Sequence, residues 1–460
     1  MNLPKNSTYT SIPAQYGRLI SVHIPCDVSL AAFLQSAQGQ PRFYWESSRD
    51  DVAFAGIGTA LELKAWGADR FETIRHHAME LFADAMVLNE EEPLAAPRLF
   101  GGFSFRDDFV PDVAWSDFTP AHFVLPHYQL VRVGATLWLS INANIPYGEN
   151  PIGLLPELKA ALQKKADELR NYQMKSLSQQ AHTDLTYPMP YGVWERIITD
   201  ATKRMTIGEL NKVVLSRVAE VRFAERVHVD SALDYLAQTY PETYRFLFEP
   251  RPYHAFYGAT PELLARRSMA NKSRRWHLAG SIRRGNSLAE DDIYGNELLN
   301  SPKDSYEHQL VIDGVKSRLE ALTENLNIGT TGIMRLSNIQ HIHTPISGTL
   351  RQDNGVIPVV EALHPTPALG GNPRELAMKL IGDYEPAPRG WYGAPVGWLD
   401  RHMNGQFGVA IRSAVAQDKR VWLYAGAGIV ADSEPQKEWD ETALKFIPML
   451  RALGIENDET

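Results

Sequence analysis

The sequence predicts a mixed fold of α-helices and β-strands, because short apolar runs next to glycine interchange along the chain with amphipathic helical stretches. Residues 53–58 have the features of a strand that enters a glycine turn, and residues 130–145 alternate as two strands separated by Gly134. Residues 71–88 have the periodicity of a helix with acidic and histidine residues outside, and residues 158–171 that of a charged amphipathic helix. Periodicity alone does not predict how the strands are arranged.

A polar stretch at residues 173–184 is typical of an exposed linker and marks the main boundary. We expect residues 1–180 to form an N-terminal α/β region of the same overall fold, with a short buried strand at residues 98–105. Residues 185–455 are expected to form the catalytic region. No internal repeat is evident, which argues against a solenoid.

Composition excludes several classes of protein. The chain has 460 residues, enough for a large core, and its net charge of −9 without a basic stripe argues against a nucleic-acid binder. The single cysteine, Cys26, rules out an internal disulfide framework and suits a reducing compartment. The first residues lack the features of a secretion signal, and no apolar run approaches the ~20 residues that cross a bilayer. We expect a cytoplasmic protein with no membrane partner.

Two pairs of acids stand out, Asp304 with Glu307 and Glu438 with Glu441. Each pair is spaced three residues apart near the start of a predicted helix, so both acids lie on one face and repel each other. A bound hard cation would relieve that repulsion. The simpler alternative is that Glu441 and Lys445 form a surface i,i+4 pair and that the acids favour the helix dipole.

The starts of these two helices are predicted from local chemistry. Ser301 is a candidate cap, and Pro302 suits the first helical position, where no amide hydrogen bond is needed. Ser433 is the candidate cap of the second helix, with Gln436 completing a capping box.

Two further residues are candidates for proton transfer. Residues 212–217 form a β-rich run whose alternation places Lys212, Val214 and Ser216 on one face, and a lysine desolvated in a pocket is a usable base. The alternative is an edge-strand lysine that prevents aggregation. Glu262 follows a proline turn at the start of residues 263–265, either as a functional carboxylate or as an acid that favours a helix dipole.

Small residues at 278–281 and 424–429 are expected to form turns after strands and to offer backbone amides to a ligand carboxylate. Residues 426–431 also match a loose G-x-G-x-x-A dinucleotide fingerprint. That fingerprint must open a helix at once, yet the box at Ser433 places the helix later, which disfavours a nucleotide-binding module.

Together these motifs resemble the chorismate-utilising enzymes, and within them the isochorismate synthases of the menaquinone type. The resemblance is strongest over residues 189–454 and is carried by residues 212–217, 258–262, 301–308, 363–368, 389–398 and 438–442. Residues 43–46 and the stretch around Phe103 fit the long isochorismate synthases that feed menaquinone. The resemblance implies an α+β fold with large, mainly antiparallel β-sheets enclosed by helices and an active site in the cleft between them.

The resemblance also implies a reaction, the magnesium-dependent and reversible conversion of chorismate to isochorismate. Lys212 would act as the general base that activates a water for attack at C2, and Glu262 as the general acid that protonates the departing C4 hydroxyl. Glu307 and Glu441 would be direct Mg²⁺ ligands, and Asp304 and Glu438 would hold coordinated waters.

The remaining site residues are assigned by the same resemblance. Contacts to the substrate carboxylates are expected from Tyr392, Arg412, Lys445 and the Gly428 amide, and further substrate contacts from Gly280 and Ser281. His341 would lie near the enolpyruvyl side, or else be a hydrogen-bonded core histidine. Ala368 and Leu369 would line the ring pocket, though apolar residues there are also ordinary core.

Single positions separate the relatives. One type of aminodeoxychorismate synthase has a lysine where this chain has Ala279, which argues against covalent amine catalysis. Anthranilate synthases usually have glutamine at the position of Lys212, so lysine favours water over ammonia and we expect no glutaminase partner. Salicylate synthases share the lysine, the acid and the metal site, and remain the alternative. A non-catalytic relative is disfavoured because both proton-transfer residues and all four acids are present. We expect a monomer or weak homodimer.

Overall fold

The computed structural model describes residues 17–88, 92–146, 148–177, 181–267, 282–283, 300–335 and 339–456, without the side chains of 282–283, 302–307, 310–311, 334–335, 339–341 and 343. The helices within these residues are α1 (Leu30–Ser36), α2 (Arg70–Ala83), α3 (Leu155–Arg170), α4 (Tyr191–Thr206), α5 (Val229–Thr239), α6 (Pro302–Leu319), α7 (Ile357–Leu363), α8 (Arg374–Tyr384) and α9 (Pro435–Ala452). No helix in this part of the chain is both long and apolar enough to cross a bilayer.

The strands alternate with these helices along the chain. The first twelve are β1 (Arg18–Cys26), β2 (Arg42–Ser47), β3 (Val52–Ile57), β4 (Leu61–Ala65), β5 (Met86–Leu88), β6 (Arg98–Phe103), β7 (Ala121–Leu125), β8 (Tyr128–Val133), β9 (Thr136–Ile145), β10 (His182–Thr186), β11 (Lys212–Phe223) and β12 (Tyr244–Arg251). The others are β13 (His254–Thr260), β14 (Leu263–Arg267), β15 (Ile282–Arg283), β16 (Thr323–Ile328), β17 (Gly332–Arg335), β18 (Ile339–His343), β19 (Ile346–Leu350), β20 (Gly371–Asn372), β21 (Pro395–Asp400), β22 (Gly405–Val409), β23 (Ser413–Gln417) and β24 (Arg420–Ile429).

Two large sheets dominate the fold. The first has 13 strands in the order β10-β11-β24-β23-β13-β12-β2-β3-β8-β9-β1-β5, with β20 added beside β11. The second has six strands in the order β14-β22-β21-β6-β7-β4. Neighbouring strands in both are antiparallel except β1 and β5. The expected α+β fold, with large and mainly antiparallel sheets, is confirmed.

An aromatic layer fills the space between the two sheets. Trp45, Phe256 and Tyr424 from the first sheet join Phe100 and Trp398 from the second in one buried cluster. Burial of each such side chain contributes up to about 3 kcal/mol of hydrophobic stabilisation. The layer holds the two sheets together as one core.

Helices cover the outer faces of both sheets. Helices α5 and α9 pack on one end of the first sheet, and α1 and α3 pack on its other end. Helices α2 and α7 pack against the second sheet, and α8 packs against β11 and β20 of the first. Helix α4 illustrates why these segments are helical, because Trp194, Ile198, Ala201 and Met205 recur at helical spacing and are all buried.

Most of the expected elements are confirmed. Strand β3, the fully buried β6, the pair β8 and β9 and helix α3 occur where the sequence predicts them. Gly134 has a φ of +57° in the turn between β8 and β9, which glycine adopts without strain.

Two expectations were wrong at their ends. The helix predicted over residues 71–88 ends at Ala83, and Met86–Leu88 forms β5, which pairs in parallel with β1. The linker predicted over residues 173–184 runs into β10, an edge strand that pairs with β11 while its side chains remain mostly exposed. In both places the backbone of a distant strand decides the structure.

Residues 1–180 and 185–455 both supply strands to the 13-stranded sheet. The two stretches meet where β2 pairs with β12, for example Trp45 with Phe246. One continuous sheet therefore runs across the predicted boundary between the two regions. The division itself stays a prediction.

Candidate active site

Lys212 lies at the start of β11, beside a strand that carries glycine. Its neighbour Val214 pairs with Gly428 of β24, and alternation places Lys212 and Val214 on the same face, as predicted. A Cβ atom at Gly428 would lie 3.1 Å from Lys212 Cε and 3.4 Å from its Nζ. The glycine therefore gives the lysine side chain room to lie across β24.

A second glycine on β24 leaves space beneath Tyr392. A Cβ atom at Gly426 would lie 3.5 Å from the Tyr392 hydroxyl oxygen. The Tyr392 ring stacks on Tyr424 at 5.3 Å, and burial raises the pKa of Tyr392 to about 12. The phenol therefore keeps its proton at neutral pH and can donate a hydrogen bond to an anion.

The turn expected at residues 424–429 is wrong. Strand β24 continues from Arg420 to Ile429 and pairs with β11 along that length. A dinucleotide fingerprint requires a turn that opens a helix, so a continuous strand excludes it here.

Two cations border the same part of β24. The Lys445 Nζ donates to the Gly426 carbonyl at 2.8 Å, and Arg412 Nη1 donates to the Lys445 carbonyl at 2.9 Å. Burial lowers the pKa of Arg412, although a guanidinium remains charged at neutral pH. Lys212, Tyr392, Arg412 and Lys445 thus lie around Gly426 and Gly428, and their contacts with a substrate stay a prediction.

Glu262 lies in the short connection between β13 and β14. Its backbone N–H donates to the Thr260 hydroxyl at 3.2 Å, and its carbonyl accepts from the Val409 N–H at 3.0 Å. Desolvation by burial raises the pKa of the Glu262 carboxyl to about 7. Residues 263–267 form a strand, so the alternative of a helix-dipole acid is wrong.

Strand β13, which ends just before Glu262, is hydrogen-bonded to the backbone of Arg412. The Ala259 N–H donates to the Arg412 carbonyl at 3.1 Å, one residue before Thr260. Glu262, whose carboxyl holds a proton near neutral pH, is therefore linked through β13 to Arg412, one of the cations beside β24.

We expect Glu262→Gln to stabilise the protein at pH 8 and to have almost no effect on stability at pH 4. The native carboxyl binds a proton more tightly than the unfolded one, so the wild type loses stability as pH rises from about 4.5 through 7, by at most about 3 kcal/mol. Glutamine has no charge to desolvate and escapes this loss. Urea unfolding at both pH values measures the difference, and an equal effect at both would contradict the raised pKa.

The carboxylates of α9 lie in its first two turns. Glu441 lies 2.5 Å from Lys445 Nζ, and their side chains are 48% and 34% exposed, which is the surface pair of the simpler alternative. Glu438 accepts a hydrogen bond from the Ser433 hydroxyl at 2.6 Å. Glu441 therefore lies near solvent and beside one of the cations, and Glu438 is partly buried.

The predicted cap of α9 is wrong. The helix begins at Pro435 with Glu434 in the cap position, and the Ser433 hydroxyl accepts from the Val430 N–H at 3.0 Å. Pro435 sets this start because its fixed φ suits the first helical position. Ser433 instead orients Glu438.

Several predicted residues cannot be placed by their side chains. Helix α6 begins at Pro302 as predicted, and Asp304 and Glu307 lie in its first two turns, but their side chains are outside the described residues. The same is true of His341, which lies in β18 opposite Met334.

Gly280 and Ser281 lie wholly outside the described residues. In the described part of the chain, no group of three or more His, Cys, Asp or Glu is placed to hold a metal ion.

Ala368 and Leu369 follow α7 and pack in a large apolar cluster that includes residues of both sheets. Leu369 is 7% exposed, and its carbonyl accepts from Arg389 Nη1 at 2.9 Å. This packing is what the core alternative expects, and their contact with a substrate ring stays a prediction.

A buried ion pair that the sequence analysis missed supports β11. Arg389 and Glu385 pair with side chains only 3% and 4% exposed. Arg389 Nη2 donates to the Val214 carbonyl at 2.7 Å, and Glu385 accepts from the Ser216 N–H at 2.7 Å. The pair completes the edge of β11 between β20 and β10. The i,i+4 spacing of Glu385 and Arg389 was the only feature of the sequence that could have indicated this ion pair.

Arg389→Ala is expected to lower the free energy of unfolding by about 3–5 kcal/mol, because it leaves the Glu385 carboxylate buried without its cation. Urea unfolding measures this loss. The matched control is Lys437→Ala, which removes an exposed i,i+3 partner of Glu434 and should cost less than about 1 kcal/mol. Equal losses in the two variants would show that burial of the pair does not matter.

Comparison with known proteins gives a consistent result. A family model described as chorismate binding enzyme matches residues 10–454. The salicylate biosynthesis isochorismate synthase of Pseudomonas aeruginosa is 36% identical over 415 residues, 90% of this chain and 85% of that protein. The isochorismate synthase MenF of Bacillus subtilis is 32% identical over 422 residues, 90% of this chain and 88% of that protein.

Among solved structures, the menaquinone-specific isochorismate synthase MenF from Escherichia coli superposes with a TM-score of 0.77. The similarity covers 95% of both chains at 24% identity, and it shows a shared fold. The family match spans almost the whole chain, including both sheets and all the candidate site residues. The chain therefore belongs to the chorismate-binding enzyme family.

Proposed function

We propose that this protein is an isochorismate synthase, which converts chorismate reversibly to isochorismate. The observation that carries the proposal is the position of Lys212, whose side chain lies over Gly428, two residues from the Gly426 carbonyl that accepts from Lys445. Ammonia-using relatives usually have glutamine there, so the lysine favours water as the nucleophile. The names of the two relatives above support the same activity.

Each of two residues carries out one of the two proton transfers. Lys212 takes a proton from the water that attacks C2, and Glu262 gives a proton to the hydroxyl that leaves C4. The pKa of about 7 suits Glu262 to this role, because a large fraction of its carboxyl groups is protonated at neutral pH. The carboxylate left after proton transfer can also take up a proton again. An ordinary glutamate would be ionised and could not act as the acid.

The cations beside β24 suit a substrate with two carboxylates. Arg412 and Lys445 supply positive charge, Tyr392 supplies a neutral donor, and Gly428 offers backbone that an anion can approach closely. Binding energy from these contacts would orient the ring between base and acid.

The acids of α6 and α9 fit a magnesium ion by their chemistry. All four end in carboxylate oxygens, the donors that Mg²⁺ prefers, and Glu438 and Glu441 lie near each other in the first turns of α9. Glu307 and Glu441 would hold the ion, and Asp304 and Glu438 would hold its waters. Bound there, the ion would neutralise a substrate carboxylate and the repulsion among the acids.

Glu441→Gln is expected to raise the Mg²⁺ concentration that gives half-maximal rate by about tenfold or more, because it removes a charged ligand. Glu307→Gln should have a similar effect. Initial rates over a range of Mg²⁺ concentrations measure it. Asp440→Asn is the control and should leave the dependence unchanged, because this carboxylate is one residue away and accepts from Gln436 on the exposed side of α9. Unchanged Mg²⁺ dependence in both glutamine variants would contradict the metal site.

Product analysis tests the proposed activity. The purified protein is incubated with chorismate and Mg²⁺, with and without ammonium and with a chelator control, and the products are separated by chromatography. We expect isochorismate to accumulate to a mixture with chorismate, without need of ammonium, and to be lost with chelator. An aminated product formed only with ammonium would contradict the proposal.

The same experiment addresses the alternative of a salicylate synthase, which would release salicylate and pyruvate. The pathway is a finer proposal, and we favour supply of menaquinone because MenF relatives match the chain over most of its length. We also propose that the protein acts in the cytoplasm, as a monomer or weak homodimer, without a glutaminase partner.

A further inference from the structure

Arg217 of β11 is a buried cation whose hydrogen bonds within the described residues all go to α9. Only 3% of the residue is exposed. Its Nε donates to the Thr442 hydroxyl at 2.6 Å, and its Nη2 donates to the Trp439 carbonyl at 3.0 Å. The guanidinium carbon lies 3.5 Å from the centroid of the Trp439 ring and 5.4 Å from that of Phe446.

Packing alone does not account for an arginine at this position. No carboxylate in the described part of the chain forms an ion pair with Arg217, and Asp440 attracts it only from a longer distance. Burial lowers the pKa of Arg217 to about 10. An apolar side chain of similar length would fill the space between Trp439 and Phe446 without the cost of burying a charge. What the arginine adds is a pair of directed, charge-assisted hydrogen bonds.

These hydrogen bonds act on the turn of α9 that carries the candidate metal ligands. Trp439 directly follows Glu438, and Thr442 directly follows Glu441. A rotation of the helix by about 20° would move the end of a side chain by about 2 Å, given a helix radius of about 5–6 Å with side chains. Mg²⁺ requires near-ideal octahedral geometry, so such a rotation would disrupt its binding.

A second contact fixes α9 one turn earlier. Trp194 of α4 donates its indole N–H to the Pro435 carbonyl at 3.0 Å, and the rings of Trp194 and Trp439 are 6.1 Å apart. The contact at Pro435 holds the start of the helix, and Arg217 holds the next turn. Two fixed points set both the position and the rotation of the segment that bears Glu438 and Glu441.

We propose that Arg217 is a positioning residue for the magnesium site, which holds the turn at Trp439 and Thr442 so that Glu438 and Glu441 reach the ion. This inference rests on the proposed function, because that function assigns a magnesium ion to Glu438 and Glu441. Arg217 itself touches neither the ion nor the substrate.

The test compares Arg217→Met with the wild type by three measurements. The first is the binding of Mn²⁺ in the absence of substrate, monitored by the electron paramagnetic resonance signal of the free ion. The second is the Mg²⁺ dependence of the rate, and the third is the Tm. Methionine keeps the apolar contact with Trp439 and loses both hydrogen bonds. We expect the Kd for Mn²⁺ and the half-saturating Mg²⁺ concentration to rise about tenfold or more. Thr442→Val, which removes one acceptor at nearly constant volume, should shift both in the same direction by less.

Leu450→Ala is the control for lost stability. Leu450 is fully buried on α9, far along the helix from the carboxylates. This variant should lower the Tm without changing the Kd for Mn²⁺. A folded Arg217→Met with wild-type affinity for Mn²⁺ would overturn the inference, and if that variant does not fold, unchanged affinity in Thr442→Val would do so. Wild-type protein that neither binds Mn²⁺ nor converts chorismate would contradict the proposed function and this inference with it, whereas conversion by the wild type keeps the two separable.

Discussion

Lys212→Ala is expected to lower kcat for chorismate conversion by about 10²–10⁴-fold, the usual contribution of a positioned general base. The side chain lies over Gly428, within the group formed by Tyr392, Arg412 and Lys445, where a water near the substrate ring would meet it. Alanine leaves the strand intact, because the pairing of β11 with β24 is made by backbone groups. Initial rates of isochorismate formation measure the effect.

The fold of the variant must be checked separately. Its Tm should remain close to that of the wild type, since Lys212 is only partly buried. Lys419→Ala, an exposed lysine in the turn before β24, is the matched control and should retain full activity. A folded and fully active Lys212→Ala protein would show that another group is the base.

Glu262→Gln should reduce kcat by a similar factor, about 10²–10⁴-fold, because glutamine has the same shape and cannot donate a proton as an acid. In the wild type the acid must be protonated, and its pKa is about 7. The rate should therefore fall as pH rises above about 7, and this fall should be absent from the residual activity of the variant. A pH–rate profile of both proteins from pH 6 to 9 measures it.

The expected combination of effects is unusual for a single substitution. At pH 8 Glu262→Gln should be more stable than the wild type and yet nearly inactive, because the same desolvation that makes the carboxyl an acid also destabilises its charged form. If the variant gained stability and also kept most of its activity, Glu262 would not be the general acid. Its raised pKa would then affect stability alone.

The sequence predicts well those features that local periodicity determines. Alternation along residues 212–217 placed Lys212 on one face of a strand, and in the structure its side chain lies over Gly428 of the neighbouring strand. Pro302 marked the start of α6 for the same reason, since its effect on the backbone is local.

Other features depend on distant partners and could not be predicted in this way. The glycines at 426 and 428 have the local signature of a turn, and only pairing with β11 keeps them in an extended strand. Thr442 bonds Arg217, 225 positions away along the chain, and no spacing rule connects the two. Backbone pairing and buried polar contacts of this kind become visible only in the folded chain.

The pairing of β11 with β24 also has a consequence for how the protein is made. Strand β11 ends at Phe223, and β24 begins only at Arg420. At usual rates of translation, synthesis of the chain between them takes on the order of ten seconds or more. During that time β11 lacks its partner β24, and the part of the strand that β10 does not pair is apolar and prone to aggregate. Because contacts of such long range also slow folding, the catalytic surface is expected to be among the last parts to form, and premature termination before β24 would yield a chain with no active site.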